Sequence, residues 1–216
     1  MFIGHDAAGL ASKRVAPRTS LGWLLAAPNF LDLLWPVFLA LGIEHVRIAP
    51  GITKFTPLDF YDYPWSHSLL MSIVWGVLFG GAYFFATRYA RGAIVIGIGV
   101  VSHWIFDWIA HRPDLPLYPG GPKVGLGLWN SPLWTIIVEV ALYVIGIAIY
   151  LRSIRFRNRT GVVAFWSLII LLALIYAANS QGKAPPSVNA IIVLAFAGYL
   201  IPLWGFWIDR HTEARV

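Results

Sequence analysis

Apolar residues run along this chain in blocks of about twenty, separated by short polar stretches that carry most of the charge. A helix needs about 20 apolar residues to cross about 30 Å of hydrocarbon. Six blocks meet that length, at 20–43, 66–87, 92–111, 131–151, 161–178 and 188–208. The fifth and sixth hold no ionisable residue and read as plain spans. The first is interrupted by Pro28-Asn29, and proline removes one helical hydrogen bond, so a break into two half-helices is expected there. The pattern predicts an all-α, polytopic membrane helix bundle of about six transmembrane helices. Residues 1–216 form one integral membrane domain, with a polar half (1–151) and two scaffold helices (152–216).

Composition agrees with this pattern. Of 216 residues, 58% are hydrophobic and 12% charged, about half the charge usual in a soluble domain. The 11 Trp, 9 Tyr and 13 Phe suit helices anchored at membrane interfaces. The absence of cysteine excludes disulfides, thiolate metal sites and cysteine nucleophiles. Residues 1–19 carry Lys13, Arg14 and Arg18 ahead of an apolar run, but no small-residue cleavage site follows, so they do not read as a signal peptide.

The net charge of +6 could suggest a nucleic-acid partner, and the distribution of basic residues explains it more simply. One set of connecting segments holds Lys13, Arg14, Arg18, Arg88, Arg91, Arg152, Arg155, Arg157, Arg159, Arg210 and Arg215; the other holds Arg47, Lys54, Arg112, Lys123 and Lys183. Eleven against five follows the positive-inside rule, with both termini cytoplasmic. The basic residues then face anionic lipid headgroups, each contributing about 1 kcal/mol. The expected partner is the lipid bilayer, and no nucleic acid is expected.

Three acidic residues, Asp32, Asp107 and Glu139, fall inside the predicted spans, with His67 and His103; His111 stands at a helix end. A charged group at the bilayer centre costs at least about 2.5–3.5 kcal/mol, so such residues usually face the bundle interior and share partners. The third span reads GVVSHWIFDWIAHRPD, placing His103, Asp107 and His111 at four-residue spacing on one helical face. Imidazole with carboxylate suits zinc, or another divalent first-row metal such as manganese; magnesium and calcium favour oxygen ligands alone. Glu139, flanked by apolar residues, could be a ligand or the base that deprotonates water. Asp107 is the other candidate base. Asp32 could ligate or cap the half-helix that follows the break. His5 would pass for a solvated histidine without further context, and His45, His211 and Asp209 for ordinary loop or tail residues.

The ordered set G-H-x2-A at His5, P-x3-D ending at Asp32, H-S-L-L at His67, and S-H-x3-D at His103 and Asp107 followed by P-L-Y-P at 116–119 resembles a known family. It is similar to the YdjM-like group of LexA-binding, inner-membrane-associated metal-dependent hydrolases. That group in turn resembles the zinc-dependent phospholipase C and nuclease superfamily. The similarity covers roughly residues 1–120. It implies a divalent metal, zinc foremost, held by His5, Asp32, His67, His103 and Asp107, hydrolysis of a phosphoester or lipid-like substrate, and a bacterial inner membrane location. The chain departs from the family pattern after the break, where PNFLDLLW has one acid and no histidine, and before the second span, where YDYPWSHS lacks the usual H-R-G-x-T-H-S. Glu139 and His111 are the candidates to replace the missing ligands.

A geometric condition accompanies His5. The predicted topology puts His67 and His111 at one face of the membrane and the N-terminus at the other, so His5 reaches them only through a re-entrant N-terminal segment or a shallow, broken first span. Two other classes fit the same residues: a transporter or channel relaying protons or divalent cations, and a non-catalytic membrane adaptor. A histidine-nucleophile phosphatidic-acid phosphatase is disfavoured, because its P-S-G-H stretch and Lys/Arg phosphate cradle are absent.

Overall fold

The computed structural model describes residues 1–181 and 183–215. Five helices in it are long and apolar enough to cross a membrane. They are α5 (Leu69–Thr87), α6 (Ala90–Ala110), α7 (Pro132–Ser153), α8 (Arg159–Asn179) and a fifth span, Val188–Asp209, in which α9 (Val188–Phe196) and α10 (Leu200–Asp209) meet through a 3-10 turn. The short helix α4 (Pro64–His67) precedes α5 and is separated from it at Ser68, whose hydroxyl accepts from the Met71 amide and caps α5. The bundle is mostly helical, as the apolar blocks predict, and the chain is an integral membrane protein.

The block at 20–43 is two short helices, α2 (Leu21–Ala26) and α3 (Phe30–Ala40), broken where Pro28-Asn29 predicts. Proline has no N–H to give. The Asn29 side chain replaces part of the lost ladder by donating from Nδ2 to the Leu25 carbonyl at 3.0 Å, and it also donates to Asp6 Oδ1 at 3.0 Å.

A further helix, α1 (Ile3–Val15), precedes the first block and lies inside the bundle, packed on α7. Eight of its residues, from Ile3 to Lys13, are buried. No side chain of α1 caps its own N-terminus; Glu139 of α7 does so, accepting from the amides of Phe2 at 2.8 Å and Gly4 at 3.3 Å. At the other end Lys13 donates to the Thr19 carbonyl at 2.9 Å and pairs with Asp209 at 3.1 Å. Asp209 also accepts from the Leu21 amide at 2.8 Å. It is therefore no ordinary tail residue but the clamp between α10, the end of α1 and the start of α2.

Among the described residues, three two-stranded antiparallel pairs close the ends of the bundle: β1 (His45–Ile48) with β2 (Leu58–Asp62), β3 (Leu115–Pro116) with β4 (Lys123–Val124), and β5 (Ile154–Phe156) with β6 (Thr212–Ala214). The first two follow α3 and α6, at the end where His67 and His111 lie; the third follows α7 and α10, at the end where α1 finishes.

Close approach of α1 to α7 depends on Gly146. A Cβ there would lie 2.7 Å from both Cα and the carbonyl oxygen of Ala7, a backbone that cannot give way locally. Gly146→Val is expected to push α1 outward and destabilise the protein by about 1–3 kcal/mol, the usual cost of overpacking. Thermal unfolding in detergent checks this; an unchanged midpoint would count against so tight a contact.

Candidate metal centre

The buried polar side chains meet where α1, α3, α4 and α6 converge. His5 and His103 are fully buried, and Asp107, His67 and His111 nearly so. His103 lies seven residues before the end of α6, about 10 Å along its axis at 1.5 Å per residue, while Asp32, in the first turn of α3, and His67, the last residue of α4, stand at helix ends.

Each of three imidazoles is held by its Nδ1. His103 Nδ1 lies 2.7 Å from the Pro28 carbonyl oxygen, a group that can only accept, so this nitrogen carries the proton. His67 Nδ1 lies 2.6 Å from Ser66 Oγ, whose own proton goes to Glu44 Oε2 at 2.6 Å. His111 Nδ1 lies 3.0 Å from Asp114 Oδ1. With Nδ1 protonated, each neutral ring presents a lone pair at Nε2, the arrangement in which outer partners fix the tautomer of a metal-ligating histidine.

Those lone pairs point at one another and at carboxylates. His67 Nε2 and His103 Nε2 are 3.2 Å apart. Asp32 Oδ1 lies 3.3 Å from His67 Nε2 and 3.8 Å from His103 Nε2, and Asp107 Oδ2 lies 3.0 Å from His103 Nε2 and 3.9 Å from His67 Nε2. Two facing lone pairs flanked by two carboxylates call for a cation, either a proton or a metal ion. Ligands about 2.1 Å from a tetrahedral ion sit about 3.4 Å from each other, within the span of these separations. The donor set therefore fits a divalent first-row ion.

Among the described residues, two triads satisfy a metal-ligand spacing, Asp32–His67–His103 and His5–His103–Asp107. They share His103, which has only one lone pair to give because its Nδ1–H is committed to Pro28. Asp107 has two oxygens and can serve both sides: Oδ2 faces His103, while Oδ1 is 3.1 Å from His5 Nε2 and also accepts from the Met1 amino group. The His5 ring stacks on that of His103 at 3.9 Å. His5 thus reaches the cluster because α1 begins at its depth, which meets the condition set by the sequence.

His111 flanks the cluster, with Nε2 3.7 Å from Asp107 Oδ2. Glu139 belongs to neither triad; its Oε2 caps α1, and its buried Oε1 has no hydrogen-bond partner among the described residues. Asp32 keeps 48% of its side chain accessible, so the cluster opens at that residue.

Several participating residues carry no sequence signal that hydropathy could detect. Asp6, beside His5, is buried and bound to Asn29. Glu44 accepts from the amides of Trp65 and Ser66 at 2.8 and 2.7 Å as well as from the Ser66 hydroxyl. Burial pushes its carboxyl above the usual carboxylate range, while the Ser66 hydroxyl and His67 pull it back. Asp114 receives the Tyr63 hydroxyl at 3.3 Å and pairs with Arg112 Nε at 3.1 Å, and Arg112 also reaches Asp59. Burial, then the charge of Asp114, raises the Tyr63 phenol well above its ordinary value, so it stays a donor. The spacing H-x2-D at His111–Asp114 was the available clue.

Comparison with known families matches residues 64–184, more than half of the chain, to the YdjM inner membrane protein family. The chain belongs to this family. The YdjM match begins at α4 and runs through α8, further toward the C-terminus than the motif resemblance, and it includes His67, His103, Asp107, His111 and Glu139. His5 and Asp32 lie outside the matched residues, and their membership in the cluster rests on geometry. No curated protein and no solved structure matches the chain.

The Asn29 bridge gives a test of the packing beneath the cluster. Asn29→Leu leaves Asp6 and the Leu25 carbonyl without a donor and should destabilise by about 1–3 kcal/mol. Adding Asp6→Leu removes one stranded partner and should recover a large part of that loss. Unfolding measurements in mixed micelles on the single and double variants check both; additivity of the two changes would show that the pair is not coupled.

Proposed function

We propose that this YdjM-family protein is a membrane-embedded, metal-dependent hydrolase of phosphoesters in amphiphilic, lipid-like substrates. The observation that carries the proposal is the 3.2 Å approach of the His67 and His103 Nε2 lone pairs between the carboxylates of Asp32 and Asp107. Asp32, His67, His103 and Asp107 would hold a divalent ion, zinc by donor chemistry. Such an ion supplies Lewis acidity to an ester oxygen and makes water more acidic. His5 steadies Asp107 through its other oxygen, and His111 completes the ring of imidazoles around that carboxylate. Glu139 is the carboxylate with an oxygen to spare, and it is the residue proposed to take a proton from the attacking water.

The accessible side chain of Asp32, in the first turn of the apolar helix α3, is the proposed point of entry for a substrate that arrives from the bilayer. The basic end, with Arg152, Arg155, Arg157 and Arg159, is proposed to face the cytoplasm by the positive-inside rule. The cluster would then lie in the opposite half of the membrane, and with it the Met1 amino group bound to Asp107. Of the two termini expected at the cytoplasmic face, only the C-terminal one would remain there.

His103→Ala should lose the metal and the hydrolysis of phospholipid in mixed micelles together, while Glu139→Gln should keep the metal and lose at least about tenfold in rate. Elemental analysis of the purified, chelator-washed protein beside a phosphate-release assay checks both. A metal-free His103→Ala variant that remains active would sink the proposal. Metal flux in proteoliposomes without hydrolysis would identify a transporter instead.

A further inference from the structure

Glu44 and Ser66 lie outside the set of ligands, yet they join the helix that carries Asp32 to the one that carries His67. We propose that Glu44, acting through the Ser66 hydroxyl, is a positioning residue that holds the proton of His67 on Nδ1 and so keeps Nε2 free for a cation. This rests on reading the cluster as a metal centre.

Proton directions follow from the donors at each step. Glu44 Oε1 receives two backbone N–H groups, from Trp65 and Ser66, which fix the orientation of the carboxylate. Its Oε2 then lies 2.6 Å from Ser66 Oγ. Two backbone N–H groups at Oε1 and the Ser66 hydroxyl at Oε2 all favour the ionised carboxylate. It can only accept, so the single hydroxyl proton of Ser66 points to Glu44. Ser66 Oγ is left with lone pairs alone toward His67 Nδ1, 2.6 Å away, and that nitrogen must be the donor. Every group in the chain is buried: Glu44 is 1% exposed, Ser66 0% and His67 4%. No bulk water is at hand to substitute for a missing partner.

Glu44→Gln reverses the relay without changing its shape. The amide oxygen must stay toward the two backbone N–H groups, so the amide NH2 faces Ser66 Oγ and donates to it. The Ser66 proton then turns toward His67 Nδ1. The imidazole proton is driven to Nε2, where it points at His103 and blocks ligation.

Two readouts on the full-length protein in micelles test this. The first is the tautomer of His67 by 15N spectroscopy of histidine-labelled protein without metal. The second is zinc affinity by competition with a chelator. Wild type should show Nδ1–H at His67. Glu44→Gln should show Nε2–H and bind zinc about 10- to 100-fold more weakly, the range found when an outer partner of a ligand is lost. Adding Ser66→Ala to Glu44→Gln removes the reversing hydroxyl and should recover part of the affinity, although the charge lost is the same.

A Glu44→Gln protein that keeps His67 as Nδ1–H overturns the inference, and so does a double variant that binds zinc no better than the single one. If tautomers respond as described while wild type takes up no zinc, the relay stands and the metal-centre reading fails.

Discussion

Inside hydrocarbon, a backbone group that leaves its helix must find another partner, because water is not there to take its place. At Pro28-Asn29 that requirement organises much of the bundle. The break frees the Pro28 carbonyl, and His103 supplies its Nδ1–H. The Leu25 carbonyl takes the side chain of Asn29, which in turn holds Asp6 of the buried N-terminal helix. One interruption therefore fixes the tautomer of a central imidazole and ties three helices together. The helix that begins after the break brings Asp32 to the same point.

The cluster depends on the same scarcity of partners. Asp107 accepts at Oδ1 from His5 and from the N-terminal amino group, while its Oδ2 faces the lone pair of His103 Nε2, a pairing that a shared cation would satisfy. Glu139 is divided, with one oxygen capping a helix that has no cap of its own and the other left over. A buried acid with an unused oxygen is costly to keep, which is why the proposed chemistry turns to it.

The long spans were legible because twenty consecutive apolar residues find a favourable solvent in the bilayer and seldom anywhere else. The boundaries read from sequence lie within a few residues of those observed. His103 and Asp107 were legible because four-residue spacing on a helix is itself geometric. The N-terminal helix was not, since it is short, contains Lys13 and Arg14, and is stabilised by residues more than a hundred positions away. Glu44 and Asp114 escaped notice for a related reason: they sit in connections, where an acid is ordinary until the tertiary structure turns it inward. The condition on His5 could be stated from the sequence, but only the path of the chain could meet it.

The placement of that first helix has a bearing on how the protein is made. Its cap comes from Glu139 and its far end is clamped by Asp209, 137 and 196 residues away from their respective partners. The ribosome delivers these partners after α1 itself, so α1 cannot be capped or clamped until the fourth long apolar block and then the last have emerged. Contacts of such long sequence separation close slowly. Maturation of the polar cluster is therefore a post-insertion event, governed by helix docking within the bilayer rather than by the order in which the segments enter it.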